Sequence, residues 1–383
     1  MGFFLPVPPL RGGATEKIWY RFAQEFAAGG HDVTLISRTW PGLPDRESEG
    51  RLSHVRMAGW NHTRRLPLNL ALDFLWSLRL LRTMPRADVI VSNNVALPVF
   101  GPRLRKSAGK FAVVLGRMPK GQTRFYNRVD RVLATSNAVL DQVRIENPAL
   151  VDRARVMLNP VDGRLHATLN TKPRRGAPLT IGYVGRINPE KGLESLIDAV
   201  GMLSADSSLP AWKLLFIGPF DIGAGGGGTA YRDSLVSRAR HLGIGANQFE
   251  FSGPIFDSTA LARRYGEIDI FCYPTRAERG EGLSVAPIEA MAAGAVPVVS
   301  NLACYADLIA PEQNGLQFDY RAADATEQLR DALRRLLSDG ELRGRLAAQA
   351  QADVHRFDYP VIAQRLLSDF AELCGARARA GAI

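Results

Sequence analysis

The chain has 383 residues, 46% of them hydrophobic and 22% charged, and its formal net charge is +10. At roughly 150 residues a domain, this length predicts two or three domains, and the apolar content excludes a disordered chain. The positive charge suits phosphate-bearing partners, but no arginine stripe with interleaved aromatic residues is present, so nucleic acid is not expected as a partner. The three cysteines form no CxxC pair and the N-terminus has no leader pattern, which together indicate a reducing, cytoplasmic compartment and no structural metal.

The first half of the chain alternates predicted strands and helices. Short apolar runs at intervals are typical of parallel strands that are covered on both faces. The first run is followed by a loop with Gly12 and Gly13 and then by a helix with a clear apolar side. The residues on that side are Ile18, Trp19, Phe22, Phe26 and Ala27. The predicted strands are Phe3–Val7, His31–Ser37, Asp88–Ser92, Phe111–Leu115 and Arg131–Thr135.

The segment Leu66–Met84 is the most apolar stretch with helical periodicity. Asp73, Arg79 and Arg82 interrupt it, so it does not offer the ~18 uncharged residues that a transmembrane helix needs. We expect one face of this helix to pack on a sheet, and that face carries Leu70, Phe74, Leu75, Leu78 and Leu81. The alternative is a helix that lies on a membrane, beside a basic cluster that would contact anionic lipid headgroups. The members of that cluster are Arg103, Arg105, Lys106 and Lys110.

A polar stretch that contains proline and glycine runs from Asn159 to Pro178 and has the composition of an interdomain linker. A second series of strands and helices follows it, as in doubly wound α/β domains. Its predicted strands are Leu179–Val184, Lys213–Ile217, Gln248–Phe251, Ile268–Tyr273 and Val296–Val299. We therefore predict an N-terminal domain over residues 1–160, a linker over 161–176 and a C-terminal domain over 177–354, with a cleft between the two domains.

The segment Tyr183–Gly192 (YVGRINPEKG) predicts a phosphate-binding site. A strand leads into Gly185, and a helix begins near Leu193. The N-terminus of a helix presents free N–H groups and the positive end of its dipole, and Arg186 and Lys191 add full charges there. The alternative is an ordinary strand-to-helix turn with two incidental surface cations.

The segment Gly280–Gly294 (GEGLSVAPIEAMAAG) predicts a second ligand-binding element built on a helix. Ser284 occupies an N-cap position, and Pro287 falls in the first turn, where its missing N–H costs little. Gly294 follows the last apolar residue. We therefore expect a helix over Val285–Ala293.

Two carboxylates flank the start of this expected helix. Glu281 lies in the loop before it and Glu289 lies one turn inside it, so the pair can bind two hydroxyl-bearing parts of one ligand. The loop amides around Gly282 and Leu283 would meet an anionic part of that ligand. The alternative is a solvent-exposed Glu281 and a Glu289 that only favours the helix start.

The glycine run Gly223–Gly228 formally satisfies the dinucleotide fingerprint GxGxxG, and Glu250 follows at a suitable distance. The preceding strand is expected to end at Ile217, which is too early for the tight turn that places a pyrophosphate on a helix. Five glycines in six positions are also typical of a loose surface loop. We therefore interpret the run as a loop, with a dinucleotide site as the alternative.

Four of these features in order resemble the retaining GT-B glycosyltransferases of family 4. They are the loop PPLRGGATEK followed by GHDVTLIS, the linker entrance LNPVD, the segment YVGRINPEKG, and the paired glutamates of EGLSVAPIEAMAAGAVPVVS. The resemblance covers nearly the whole chain. It implies two Rossmann-like, doubly wound parallel-sheet domains that face a central cleft, and a C-terminal helix, about 355–383, that crosses back to the first domain.

The resemblance also implies roles for individual residues. The basic pair that matches Arg186 and Lys191 binds the donor diphosphate and neutralises its charge as it leaves, so no metal or other cofactor is implied. The glutamate that matches Glu289 binds ribose hydroxyls, while the one that matches Glu281 contacts the donor sugar at the catalytic centre. The other residues implied in substrate binding are Gly12, Gly13, Gly185, Gly282, Leu283 and Ser284.

This sequence departs from the family pattern in three places. Many members have a histidine at the end of the fourth strand of the first domain, whereas Val113–Arg117 contains none, and Arg117 is the replacement that the sequence offers. Ser284 stands where glycine is usual. The loop that follows Gly218 is also longer than is common in the family.

Together these observations predict a metal-independent, retaining glycosyltransferase that moves a sugar from a nucleoside diphosphate sugar to an acceptor hydroxyl, in polysaccharide or glycolipid synthesis. The basic first domain favours an acceptor that carries phosphate or lipid, met at the inner face of the cytoplasmic membrane, with an anionic membrane surface as a further partner. Two alternatives stay open. One is a nucleotide-sugar epimerase or NAD-dependent enzyme on a similar frame, and the other is a non-catalytic protein that binds sugar nucleotides.

Overall fold

The computed structural model describes residues 2, 4–61, 63, 65–104, 109–169 and 177–375. Contacts divide the chain into two compact units. The first unit comprises Met1–Pro160, Arg279–Leu283 and Tyr359–Ile383, and the second comprises Val161–Glu278 and Ser284–Asp358. The segment with Glu281 thus belongs by its contacts to the first unit, although the sequence around it leads into a helix of the second.

The first unit contains two sheets in its described residues. Strands β1, β3 and β2 form one sheet in that order, and β4, β5, β6 and β7 form the other. All neighbours are parallel except β2 and β3. The elements are α1 (Ala14–Ala28), β1 (Val33–Arg38), β2 (Arg46–Glu49), β3 (Leu52–Met57), α2 (Leu66–Thr83), β4 (Val89–Ser92), α3 (Leu97–Leu104), β5 (Lys110–Leu115), β6 (Arg131–Ala134), α4 (Asn137–Glu146) and β7 (Ala154–Val156).

Two predictions for this unit are wrong. No strand is present in Phe4–Val7, the described part of the first predicted strand, because Pro6 and the prolines that follow lack the N–H groups that a ladder needs. The buried side chains of α2 are Asp73, Trp76, Ser77 and Leu80, rather than the leucine face expected from the sequence. Trp76 is fully buried and packs in the core of the unit. Three residues of the predicted face, Leu70, Phe74 and Leu75, are exposed.

The second unit contains one six-stranded parallel sheet, with the order β10-β9-β8-β11-β12-β13. This is the doubly wound order of a Rossmann-like domain, in which the strand order reverses between β8 and β11. Its elements are α5 (Gly163–Leu169), β8 (Leu179–Val184), α6 (Leu193–Gly201), β9 (Trp212–Ile217), α7 (Thr229–His241), β10 (Phe249–Gly253), α8 (Ser258–Tyr265), β11 (Ile270–Tyr273), α9 (Val285–Ala292), β12 (Val296–Ser300), β13 (Leu316–Phe318), α10 (Ala325–Ser338) and α11 (Gly340–Asp353).

The predicted α/β class with two parallel-sheet domains is confirmed. Within the expected linker, the structure places helix α5, which packs on α8 and α9, and residues 170–176 lie outside the described part of the chain. The last helix, α12 (Tyr359–Leu373), packs on α1 through two aromatic pairs, Phe22 with Tyr359 and Phe26 with Phe370. No helix among the described residues is long and apolar enough to cross a membrane.

Candidate functional site

The loop after β8 lies at the carboxyl end of a central strand of the second unit, at the point where the strand order reverses. Gly185 adopts a φ of 155°, and a Cβ there would come within 2.6 Å of the Tyr183 hydroxyl. Asn188 then caps a short 3-10 helix by accepting a bond from the Glu190 amide at 3.1 Å. Gly192, with a φ of 66°, leads into α6. The N-terminus of α6 therefore sits where ligands bind in doubly wound domains.

The two predicted cations of this loop are held near one carboxylate. Nη2 of Arg186 lies 2.8 Å from Oε1 of Glu190, and the Lys191 ammonium lies 3.8 Å from the same oxygen. The Lys191 ammonium also lies 5.5 Å from the centre of the Tyr273 ring. Lys191 is 4% exposed, which excludes the alternative of an incidental surface cation at this position. A buried lysine at a helix start is suited to hold an anion.

The glycine run packs against this cationic loop. The Gly225 carbonyl accepts hydrogen bonds from Arg186 Nη1 at 3.3 Å and from Asn188 Nδ2 at 3.0 Å. The Gly227 amide donates to the Ile187 carbonyl at 2.8 Å. Gly225 has a φ of 81°, which favours glycine there. The run is therefore a loop, as interpreted from the sequence, and its hydrogen bonds attach it to the cationic loop and support Arg186.

The loop after β11 is joined to the same cationic loop. The Glu190 carbonyl accepts bonds from the Arg276 amide at 2.9 Å and from the Thr275 hydroxyl at 3.3 Å. The Ser300 hydroxyl, at the end of β12, donates to the Thr275 carbonyl at 2.6 Å. The carboxyl ends of three adjacent strands are thereby connected, which fixes the backbone around Lys191.

Helix α9 supplies the second predicted carboxylate. Ser284 occupies the N-cap position, as predicted, but its side chain makes no capping bond and instead lies 3.0 Å from the Tyr305 hydroxyl. Glu289 is 6% exposed, and its Oε2 accepts a hydrogen bond of 3.0 Å from the Tyr265 hydroxyl. Burial, and then the adjacent Glu289 carboxylate, raise the pKa of Tyr265 well above its usual value. The tyrosine therefore stays a neutral donor toward Glu289.

The predicted residues of the loop before α9 lie with the first unit. Gly282 packs so closely against Thr135 and Gly116 that a Cβ would come within 2.5 Å of the Thr135 hydroxyl. The Asn159 side-chain amide donates to the Leu283 carbonyl. Glu281 is 7% exposed, so the alternative of a solvent-exposed carboxylate is wrong.

The loop before α1 also belongs to the first unit. Gly12 and Gly13 both have positive φ values, 77° and 93°, and the Gly13 carbonyl accepts the first helical bond from the Lys17 amide at 3.0 Å. The Glu16 side chain lies directly against Gly13 and is 4% exposed. Burial raises the pKa of this carboxyl group. Arg117, the second residue after β5, is exposed.

The predicted site residues are thus divided between two groups. The second unit holds Gly185, Arg186, Lys191, Ser284 and Glu289 around the carboxyl ends of β8 and β11 and the start of α9. The first unit holds Gly12, Gly13, Glu281, Gly282 and Leu283. Sequence reasoning missed three supporting groups, the Asn188 side chain, the Gly225 carbonyl and the Tyr265 hydroxyl. Asn188 precedes a proline at a helix start, which is a readable capping signal, whereas Tyr265 looks like an ordinary apolar position of α8.

Family models match both halves of the chain. A model described as "Glycosyltransferase Family 4" matches residues 12–164, and one described as "Glycosyl transferases group 1" matches residues 169–353. A phosphatidyl-myo-inositol mannosyltransferase of Mycolicibacterium smegmatis is 30% identical over 210 residues, which cover 54% of this chain and 48% of that protein. A D-inositol 3-phosphate glycosyltransferase of Rhodococcus opacus is 29% identical over 53% of this chain and 42% of that protein. The chain thus spans about half the length of these curated relatives.

Solved structures share the fold over nearly the whole chain. Sucrose-phosphate synthase from Thermosynechococcus elongatus superposes with a TM-score of 0.76 and 19% identity, over 96% of this chain and 94% of that one. The Anabaena protein Alr3699/HepE, in complex with UDP and glucose, gives a TM-score of 0.71 and 18% identity, over 96% and 98%. At these identities the likeness concerns the fold.

Proposed function

Because the chain belongs to the group 1, family 4 glycosyltransferases, we propose that it transfers a sugar from a nucleoside diphosphate sugar to an acceptor hydroxyl with retention of configuration and without a metal. The observation that carries this proposal is the arrangement of Lys191, Arg186 and the N-terminus of α6 at the carboxyl end of β8. Preorganised cations of this kind stabilise the charge that develops on a departing diphosphate. Glu289 supports the ribose end of the same donor, and the UDP complexes of HepE favour such a donor.

Glycolipid or polysaccharide synthesis is the proposed context. The two relatives described above are named phosphatidyl-myo-inositol mannosyltransferase and D-inositol 3-phosphate glycosyltransferase. Both names contain a phosphorylated inositol compound, which suits a chain of net charge +10. We therefore propose a lipid-linked or phosphate-bearing acceptor, met at the inner face of the cytoplasmic membrane.

The two alternatives are less well supported. A dinucleotide site would need the glycine run free to cradle a pyrophosphate, but the Gly225 carbonyl and the Gly227 amide are already bonded to the neighbouring loop. A non-catalytic binding protein would use the same cations only to hold the diphosphate. It would bind a donor without hydrolysing or transferring it.

The proposal is tested with a donor screen followed by two variants. UDP-, GDP-, ADP- and TDP-sugars are compared by thermal shift, and one base is expected to raise Tm through mass action. With that donor, Arg186→Ala and Lys191→Ala are each expected to lower kcat by ~10²-fold or more. Arg238→Ala, which removes another exposed arginine of the same unit and its ion pair with Asp198, is the matched control and should keep its turnover. Wild-type turnover in both site variants would refute the assignment.

A further inference from the structure

Three buried tyrosines of the second unit form a row of rings next to the cationic loop. Tyr183 comes from β8, Tyr273 ends β11, and Tyr305 lies in the short 3-10 helix Ala303–Asp307 that follows β12. The Tyr183 and Tyr273 rings are stacked with their centroids 5.5 Å apart, and the Tyr305 ring meets the Tyr273 ring edge-on at 6.3 Å. These are favoured geometries of aromatic pairs. The row therefore fixes the Tyr273 ring in its middle.

The two outer tyrosines of this row each bond to a residue predicted to bind the donor. The Tyr183 hydroxyl donates to the Arg186 carbonyl at 2.8 Å. The Tyr305 hydroxyl lies 3.0 Å from the Ser284 hydroxyl, at the start of α9. Both tyrosines are fully buried, so each hydroxyl needs a partner inside the protein. The partners that the fold supplies belong to two separate segments of the candidate site, which indicates that the row supports the site.

The middle ring, that of Tyr273, lies beside a full positive charge. The Lys191 ammonium is 5.5 Å from its centre, within the ~6 Å over which a ring face attracts a cation. Lys191 is buried, and a buried ammonium must be compensated for the water that it loses. The Glu190 carboxylate lies 3.8 Å away, but its side chain is 40% exposed and also pairs with Arg186 at 2.8 Å. The Tyr273 ring is therefore a buried partner for this charge.

A ring face suits a lysine that has to bind an anion. The ammonium of a lysine sits on a flexible four-carbon stem, so it meets a phosphate in one position only where its neighbours restrict it. A buried carboxylate beside Lys191 would restrict it but would also compete with the phosphate for its charge. A ring attracts the cation and leaves the charge in place. Phe271, stacked on Tyr273 with centroids 6.0 Å apart, restricts the ring from a further side.

We propose that Tyr273 is a positioning residue for the donor diphosphate, because its ring face holds the Lys191 ammonium in place. Tyr183 and Tyr305 in turn keep that ring in position. This inference rests on the proposed function, since it assigns Tyr273 to the same diphosphate site. The ring acts through Lys191 rather than on the ligand. A tyrosine that only fills the core would contribute to stability alone, and its effect on binding would not depend on the charge of residue 191.

The proposal is tested by changing the charge distribution of the ring while its shape is kept. Tyr273→Phe is compared with chains that carry difluorophenylalanine or pentafluorophenylalanine at Tyr273, because fluorine withdraws electrons from the ring face that attracts the cation. Isothermal titration of the full chain with inorganic pyrophosphate, a probe that needs neither base nor sugar, measures the affinity. Relative to Tyr273→Phe, we expect affinity to fall in the order of fluorine content, by roughly tenfold with pentafluorophenylalanine.

Phe357 provides the matched control, because its ring is fully buried in the same unit and has the Arg356 guanidinium 4.8 Å from its centre. Pentafluorophenylalanine at Phe357 should leave pyrophosphate affinity unchanged. Lys191→Gln removes the cation that Tyr273 is proposed to hold. In that background, fluorination at Tyr273 should cause no further loss of affinity, since residues that act through one interaction are not additive.

Two results would overturn the positioning role and leave the proposed function in place. One is equal pyrophosphate affinity along the fluorinated series. The other is a loss that persists in full in the Lys191→Gln background, which would assign Tyr273 to the core alone. A wild-type chain that does not bind pyrophosphate, or a Lys191→Gln variant that binds it as well as the wild type, would instead refute the phosphate site of the proposed function, and this inference with it.

Discussion

The Tyr265 hydroxyl donates a hydrogen bond of 3.0 Å to Oε2 of Glu289, and both side chains are buried in the second unit. The tyrosine comes from the last turn of α8 and the glutamate from the second turn of α9. Tyr265 also packs against the His166 ring, with centroids 5.4 Å apart, and against Phe271. The orientation of Glu289 is therefore set by residues from three other elements.

This bond predicts a positioning role for Tyr265. Tyr265→Phe keeps the ring but removes the donor, so we expect affinity for the nucleoside diphosphate to fall roughly tenfold, as for loss of a bond to a charged group. Isothermal titration with the free diphosphate measures this change. Tyr126→Phe is the matched control, because Tyr126 is equally buried and its hydroxyl donates to the Val95 carbonyl of the first unit. Equal losses of affinity in both variants would show that only stability is affected.

The two predicted glutamates are expected to differ in what they bind. Glu289→Ala should weaken both the free diphosphate and the intact donor, because ribose belongs to both and an unpaired buried group costs ~1–3 kcal/mol. Glu281→Ala should leave the diphosphate affinity unchanged and reduce donor affinity and kcat, since a misplaced sugar loses its alignment. Titration of each variant with the diphosphate and with a non-reactive donor separates the two roles. Equal loss of diphosphate affinity in both would contradict this division.

The glycine run is expected to support donor binding indirectly, because its Gly225 carbonyl holds the Arg186 side chain. Deletion of Gly223–Gly225 removes the carbonyl that holds Arg186 and Asn188, so diphosphate affinity should fall severalfold. Loop closure itself changes slowly with length, so the change in unfolding free energy should stay near ~1 kcal/mol. Deletion of Ser207 and Ser208, from the exposed turn before β9, serves as the control. Unchanged affinity after the glycine deletion would mean that Arg186 does not need this support.

Glu16 predicts a pH dependence of stability in the first unit. Its pKa is raised by burial, so its favourable contribution is fully present below its usual value of about 4.5 and is lost as pH rises through the folded-state value. Glu16→Gln removes the cost of burying a charge near Gly13. Its Tm should exceed that of the wild type at pH 8, and the gap should close toward pH 4. A constant gap across this range would show that packing, rather than ionisation, is responsible.

Local sequence patterns predict many strands, the helix after Ser284 and the cationic loop after β8. Apolar runs and turn residues predict most of the parallel strands of both units, though not β3, β7 and β13, because a strand buried on both faces needs continuous apolar side chains. The helix after Ser284 is predicted to within one residue, since capping and breaking residues act over a single turn. The cationic loop after β8 is also readable, because glycines, cations and a helix start adjoin in the sequence.

Tertiary structure decided what depends on partners distant in the chain. The leucines of α2 satisfy the pattern of a core-facing helix, yet Trp76 fills the core and Asp73 binds the backbone after β4, which turns those leucines outward. The composition of the glycine run does not predict which residues it contacts. Its Gly225 carbonyl accepts a hydrogen bond from Arg186, which lies 39 positions earlier in the sequence. The bond from Tyr265 to Glu289 likewise spans 24 positions. Periodicity specifies that a face is apolar, whereas what covers that face depends on which side chains compete for the same volume.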